Sequence, residues 1–197
     1  MTVPGSYDLH EQILLEAKRL FIEQGYHALS MRSIAEAVGV SKAALYYHFR
    51  DKEELFLAVL ERYLDQIEVI LDRVRAENTT SRKQICALVE AILSQPAEQR
   101  AVIRLASQEM AQLNAEARQA FNATYHAKFI DKVEGILKAG VESGELKPID
   151  PSLATWTLLG MMYPYFYPTH SHDMPSSADV SDQLLAIFLD GISDPGN

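Results

Sequence analysis

The 197-residue chain has a single cysteine, Cys86. One thiol cannot form a disulfide framework or a paired-cysteine zinc site within one chain. Its setting, Gln84-Ile85-Cys86-Ala87-Leu88, is apolar and helical in pattern, which reads as a small buried hydrophobe. No apolar run approaches the ~20 residues that cross a bilayer. The N-terminus has no basic stretch followed by an apolar one, so a cytoplasmic protein without a membrane partner is expected. Catalytic signatures are missing too. There is no Gly-x-Ser-x-Gly elbow, no phosphate-binding Gly-rich loop, no His-Glu-x-x-His zinc helix and no Cys/His dyad. Neither an enzyme nor a cofactor is expected. His170 and His172 beside Asp173 are the nearest thing to a metal set. Flanked by Pro168 and Pro175, with no cysteine at hand, they read as surface loop.

Positive charge is also scarce, and the formal net charge is −9. Its distribution is uneven. Residues 1–50 carry five Lys/Arg and five Asp/Glu and sum to zero, so the whole excess, 13 basic against 22 acidic, lies in residues 51–197. Ala37 to Arg50 contains no acid at all. An acidic body with one acid-free window suits a local surface for a polyanion.

What the chain does have is helical periodicity. Leu9, Ile13, Ala17 and Phe21 recur at i, i+4, and Gly25 ends that stripe. Ser30 is placed to cap a helix over Met31–Val38 that Gly39 stops. Ser41 should cap a third helix reaching about Phe49, and Asp51 a long fourth from Lys52 to about Ala76. Ser81 is the expected cap of the next, which ends near Gln95-Pro96. Further helices are expected over about Ala97–Leu113, Ala115–Ala139 (interrupted only by Gly135), Ser152–Tyr163 behind Asp150-Pro151, and Ala178–Ile192. A loop rich in Pro, Ser and His, Pro164 to Ser177, separates the last two. No strand-like alternation or repeat appears. The class is all-α with about nine helices.

The segment Ser30 to Leu55 has the content of a helix-turn-helix. Two short helices that cross steeply need a small residue where they touch, and Ala35 supplies it. The sharp turn needs a residue that tolerates positive φ, and Gly39 supplies that. Ile34, Val40, Leu45 and Phe49 are spaced to share one core. The opposite face of the third helix then shows Lys42, Ala43, Tyr46, Tyr47 and Arg50, a basic and aromatic surface able to enter a major groove.

The run Leu45-Tyr46-Tyr47-His48-Phe49-Arg50-Asp51-Lys52-Glu53-Glu54-Leu55, with Ile34-Ala35 and Gly39-Val40-Ser41 before it, resembles the DNA-binding domain of the TetR family of bacterial repressors. The strong likeness covers about residues 10–60. Ala43 stands where many members carry Gly or Pro, and Val38 where Ala is usual. The resemblance implies a helix-turn-helix domain over residues 8–52 and an effector-binding and dimerisation domain over 53–197. By position it implies base-edge contacts from Lys42 and Tyr47, and thymine-methyl contacts from Ala43 and Ala44. It implies phosphate contacts from Tyr46, His48 and Lys52, with Ser30 and Arg32 anchoring the backbone or reaching a base edge, and the capping Ser41 completing the set. Structural roles stay open for Tyr46, as edge packing, for His48, as support of the following turn, and for Lys52, as a solvated lysine.

In the remaining two-thirds the resemblance implies pairing of two copies through the last two long helices. Leu153, Trp156, Leu159 and Gly160 on one, and Leu184, Leu185 and Phe188 on the other, are the candidates. It also implies an internal effector pocket. Phe121, Tyr125, His126, Phe129, Trp156, Met162, Tyr163 and Phe166 are the candidate lining, which favours an apolar or aromatic effector. Each of these taken singly reads first as core. The expected partners are a pseudo-palindromic double-stranded operator, a small effector and a second copy of the chain. The expected function is a repressor released by its effector, and the alternative is a ligand-independent DNA organiser with the same reader.

Overall fold

After the first helix, the helices near the N-terminus each begin where a short polar side chain holds a free amide of the first turn. The computed structural model describes residues 8–167 and 177–192. Helix α1 (Leu9–Gln24) buries Ile13, Leu14, Ala17, Leu20 and Phe21 and stops at Gly25, whose φ is 78°. Before α2 (Met31–Val38), Ser30 and Ser33 form a reciprocal capping box, and Gly39 closes the helix at φ 80°, ψ 28°. Helix α3 (Lys42–His48) starts with the Ala44 amide donating to Ser41 Oγ at 3.1 Å. The long α4 (Lys52–Glu77) starts with the Glu54 amide donating to Asp51 Oδ1 at 2.8 Å.

Helix α5 (Ser81–Leu93) corrects one expectation. Its cap is Thr80, whose hydroxyl accepts from the Lys83 amide. Ser81 is instead buried, and its Oγ donates to the Ile136 carbonyl at 2.9 Å. Helix α6 (Ala97–Glu109) runs into a 3-10 turn over Met110–Gln112. The expected Ala115–Ala139 helix is α7 (Ala115–Tyr125), a π turn (His126–Ile130) and α8 (Asp131–Glu142) in one continuous rod. The irregularity is the π turn; Gly135 lies inside regular helix. Helix α9 (Pro151–Met162) starts with the Leu153 amide donating to Asp150 Oδ1 at 2.7 Å and continues as a 3-10 turn over Tyr163–Phe166. Helix α10 (Ser177–Ile192) follows. Among the described residues there is no β-strand, so the class is all-α as expected. No described helix is long and apolar enough to cross a membrane. His170, His172 and Asp173 lie outside the described residues.

The chain packs as two compact units that do not follow a single cut. The first runs to Tyr63 and takes in Val102–Asn122 as well. Its core centres on Ile13, Phe21, Ile34, Leu45, Leu55 and Phe56, all fully buried. The rings of Phe21 and Phe56 meet edge to face at 5.1 Å. The second unit holds Leu64–Ala101 and the chain from Ala123 onward. There α5 and α8 approach so closely at Gly140 that a Cβ would sit 2.8 Å from that of Ser81.

Candidate DNA-reading surface

The reader is built by opposite demands on the two sides of α3. Leu45 is fully buried and Phe49 is 3% exposed, so their side anchors the helix on α1 and α2. The turn before it is tied by the amides of Gly39 and Val40, which both donate to the Ala35 carbonyl at 3.0 Å. Ala35 itself is 2% exposed at the helix crossing. With that side fixed, Tyr47 is forced outward and is 86% exposed, the most exposed large apolar residue described. Lys42, Ala43 and Tyr46 share this outer surface, Ala44 is half-buried, and Lys42 Nζ stands 5.5 Å from the Tyr46 ring centre.

The cations around α3 differ in what they face. Arg32 is ion-paired with Glu36 at 2.8 Å, and Arg50 with Asp51 at 3.1 Å; both arginines are well exposed. Lys42 has no carboxylate partner among the described residues. The acid-free window in the sequence thus becomes an α3 surface whose lysine has no counterion among the described residues. Ser30 and Ser41 spend their hydroxyls on capping and hold the starts of α2 and α3 at this surface.

Two residues have internal work that the sequence did not disclose. The Lys52 ammonium donates to the carbonyls of Tyr26 at 2.6 Å and Leu29 at 2.8 Å and lies over the Tyr26 ring. It ties the α1–α2 connection to the start of α4, and burial pulls its pKa below the ordinary lysine value. Lys52 therefore has a structural task beside the phosphate contact expected of it. A lysine at a helix N-terminus opposes the dipole and so hints at a nearby acceptor; the acceptors here are backbone carbonyls. His48 is half-buried, with its ring 5.4 Å from that of Tyr47 and 5.9 Å from that of His10 on α1. His10 also stacks on Phe49 at 5.0 Å. His48 thus sits in an aromatic cluster that ties α1 to α3, and His10 is a member that sequence pattern had no means to flag.

Asp51 is held below the usual carboxylate range, first by the Glu54 amide and then by Arg50, against the opposing effect of burial. From the far part of the first unit, two carboxylate contacts join α6 and α7 to the reader. The Tyr26 amide donates to Glu109 Oε1 at 3.3 Å, and the Asn114 amide donates to Glu53 Oε2 at 2.9 Å.

The anticipated sensor residues separate. Phe121 is buried in the first unit, among that unit's core. The others lie in the second. Tyr125 opens the π turn, its phenol pushed up to about 12 by burial. Its ring is 5.7 Å from Phe129 and 6.2 Å from His126, which in turn lies 6.3 Å from Trp156. Met162 and Phe166 are buried, and Tyr163 is 38% exposed. An open recess of about 480 Å³ in the same unit is lined by Asp72, Arg75, Gln84 and Gly135, none of them anticipated.

The pairing candidates also separate. Leu153 is 61% exposed and Trp156 48%, with Gly160 exposed and Leu159 half-buried beside them. Leu184, Leu185 and Phe188 are instead buried in the second unit, at 7% exposure or less, and belong to its core. The large apolar side chain that α10 exposes among its described residues is Ile187, at 70%.

A packed pair of short helices, each capped at its start and showing an outer lysine and two tyrosines, defines a helix-turn-helix DNA reader joined to a helical domain. Comparison with known proteins agrees with this class. Residues 13–59 match the model for bacterial regulatory proteins of the tetR family, and residues 78–167 match that for the tetracyclin repressor-like C-terminal domain. The chain belongs to the TetR family. The transcriptional repressor KstR2 of Rhodococcus jostii is 28% identical over 197 residues, covering 98% of this chain and 95% of that protein. The structure of AibR in complex with isovaleryl coenzyme A and operator DNA has a TM-score of 0.77 at 25% identity, covering 91% of this chain and 97% of that one. FadR from Bacillus subtilis, solved with stearoyl-CoA, shares the fold, with a TM-score of 0.81 at 23% identity and coverage of 93% and 99%.

Proposed function

We propose that this chain is a repressor that binds a pseudo-palindromic operator as a dimer and releases it when an acyl thioester of coenzyme A binds its second unit. The observation that carries the reading is the α3 surface, where Leu45 and Phe49 are buried while Tyr47, Tyr46 and Lys42 face outward. Lys42 and Tyr47 read base edges, Ala43 and Ala44 contact thymine methyls, and Tyr46, His48, Ser30, Ser41 and Arg32 serve the phosphates. Binding to a second copy through α9 is supported by the stripe of Leu153, Trp156, Gly160 and Tyr163, whose spacing of three and four keeps it on one side of the helix. Ile187 adds an exposed apolar side chain on α10. Two readers in such a dimer fit DNA when their α3 helices lie about one turn apart, ~34–36 Å.

The effector class, though not the release, rests on AibR, whose structure holds isovaleryl coenzyme A together with operator DNA. The half-buried Tyr125 and the buried Phe129, Met162 and Phe166 supply apolar surface for an acyl chain in this chain's second unit. Release then requires only that the ligand favour a dimer geometry that does not fit DNA.

The test is selection of bound duplexes from a random pool, followed by titration at two salt concentrations and challenge with isovaleryl-CoA, decanoyl-CoA and palmitoyl-CoA. Enrichment of one inverted repeat, released by an acyl-CoA, is expected. An inverted repeat that no acyl-CoA releases would remove the effector class but keep the reader. Salt-sensitive binding with no enriched sequence would replace the repressor by a ligand-independent DNA organiser.

A further inference from the structure

Arg100 stands in the first turn of α6, and its guanidinium is placed in an unusual way for an arginine. Nη1 donates to the Tyr165 carbonyl at 3.4 Å, a long and weak contact. Nε is buried and has no hydrogen-bond partner, the one such side-chain nitrogen or oxygen among the described residues. No carboxylate pairs with Arg100 among those residues either. Guanidinium stays charged at every physiological pH. Arg100 as a whole is half-buried, but its Nε is a donor removed from water without an acceptor, which is costly, and native proteins leave very few buried donors in that condition. The arginines elsewhere illustrate the contrast. Arg19, Arg32, Arg50 and Arg62 each meet a carboxylate within 3.1 Å.

The surroundings say what kind of ligand would satisfy it. Tyr165 lies in the 3-10 turn that follows α9, directly before the buried Phe166 and three residues after the buried Met162. A guanidinium bonded to the backbone of the segment that carries Met162 and Phe166 suits a molecule with an anionic oxygen at one end and an apolar body at the other.

We infer that Arg100 is the anchor for the acidic end of the effector, with an anionic oxygen, carboxylate or phosphate, accepting from Nε. This rests on the effector-sensing reading above and adds the group that would hold the ligand. The contact is charge-assisted, so its loss should weaken binding by about ten- to a hundredfold.

The experiment measures binding by calorimetry to the full-length protein and to Arg100→Gln and Arg100→Lys. Three probes separate the sources of charge: decanoate carries a carboxylate, decanoyl-CoA carries phosphates, and methyl decanoate carries neither. Circular dichroism and unliganded melting verify that each variant is folded. The expected result is tight binding of at least one charged probe, weak binding of the ester, and a loss of about tenfold or more for that charged probe in Arg100→Gln. Arg100→Lys retains the charge without the fork and should recover part of the affinity. Binding of decanoate alone identifies the carboxylate as the anchored group, and of decanoyl-CoA alone the phosphates. A charged probe bound equally by wild type and Arg100→Gln overturns the anchor while leaving the sensor reading in place. Binding of the ester as tight as that of both charged probes overturns it too. If Arg100→Gln does not fold, the affinity of the wild type for the ester against its better charged probe, and the affinity of Arg100→Lys for that probe, decide the matter. Binding of no probe by folded wild-type protein would remove the sensor reading along with the anchor.

Discussion

The ammonium of Lys52 lies 4.1 Å from the centre of the Tyr26 ring and also donates to the carbonyl of that same residue at 2.6 Å. One lysine thereby fixes both the backbone and the ring of the segment between α1 and α2. Replacing it with Met leaves the Tyr26 and Leu29 carbonyls without their donor and removes the charge from the ring. Lys52→Met should cost about 2–3 kcal/mol of stability in urea denaturation. The salt dependence of operator binding should keep its slope. A fall of about 0.9 in that slope would make Lys52 a phosphate contact as well.

Tyr47 predicts the opposite pattern. At 86% exposure it supports nothing in the fold, so Tyr47→Ala should change stability by no more than about 0.5 kcal/mol. Operator binding should weaken by about 1–3 kcal/mol, read by titration of a labelled duplex. Lys42→Ala should behave alike.

The two groups of apolar residues proposed from the sequence for pairing should now part company. Leu153→Glu and Trp156→Glu change exposed side chains, and should yield folded monomers in sedimentation that no longer hold an inverted repeat. Leu184→Ala opens a cavity in a core position that is 3% exposed, and should cost about 2–5 kcal/mol of folding stability in denaturant. A Leu184→Ala protein of unchanged stability would return that residue to the interface.

Tyr125 carries a pH signature. Burial raises its pKa from 10.0 to about 12 in the folded chain. The folded state therefore keeps the proton where the unfolded state releases it. Stability from this group is whole below pH 10 and declines as the pH rises towards 12. Tyr125→Phe cannot ionise, so over that interval it should lose about 2–3 kcal/mol less than the wild type in chemical denaturation. Parallel curves for the two proteins would mean that the phenol is open to water.

Local chemistry made much of the reader legible before any coordinates. The caps Ser30, Ser41 and Asp51 bind amides three residues on, and Gly39 needs its positive φ at the end of its own helix. Leu45 and Phe49, one turn apart, decided which way Tyr47 must point. What stayed hidden has a common physical origin in tertiary partners. The carbonyls that claim Lys52 belong to Tyr26 and Leu29, on the other side of two helices. Thr80 rather than Ser81 caps α5 because the Ser81 hydroxyl is taken by Ile136 on α8. Periodicity identified α9 and α10 as apolar, but a helix with several apolar faces does not announce which one meets its own chain. The π turn over His126–Ile130 has no residue that demands it locally.

The packing of Val102–Asn122 with the reader bears on how such a protein can be recombined. A graft made by cutting once, in α4 beyond Glu53, would carry Glu53 and Tyr26 into a new host without the Asn114 and Glu109 groups they bond. The transplanted reader would arrive with two of its clasps open. A working chimera needs two segments from the same parent, the N-terminal helices and the α6–α7 connection, exchanged as a matched set. Variation accepted at Glu109 or Asn114 is likewise constrained by residues more than fifty positions earlier, so the two stretches should drift together across generations.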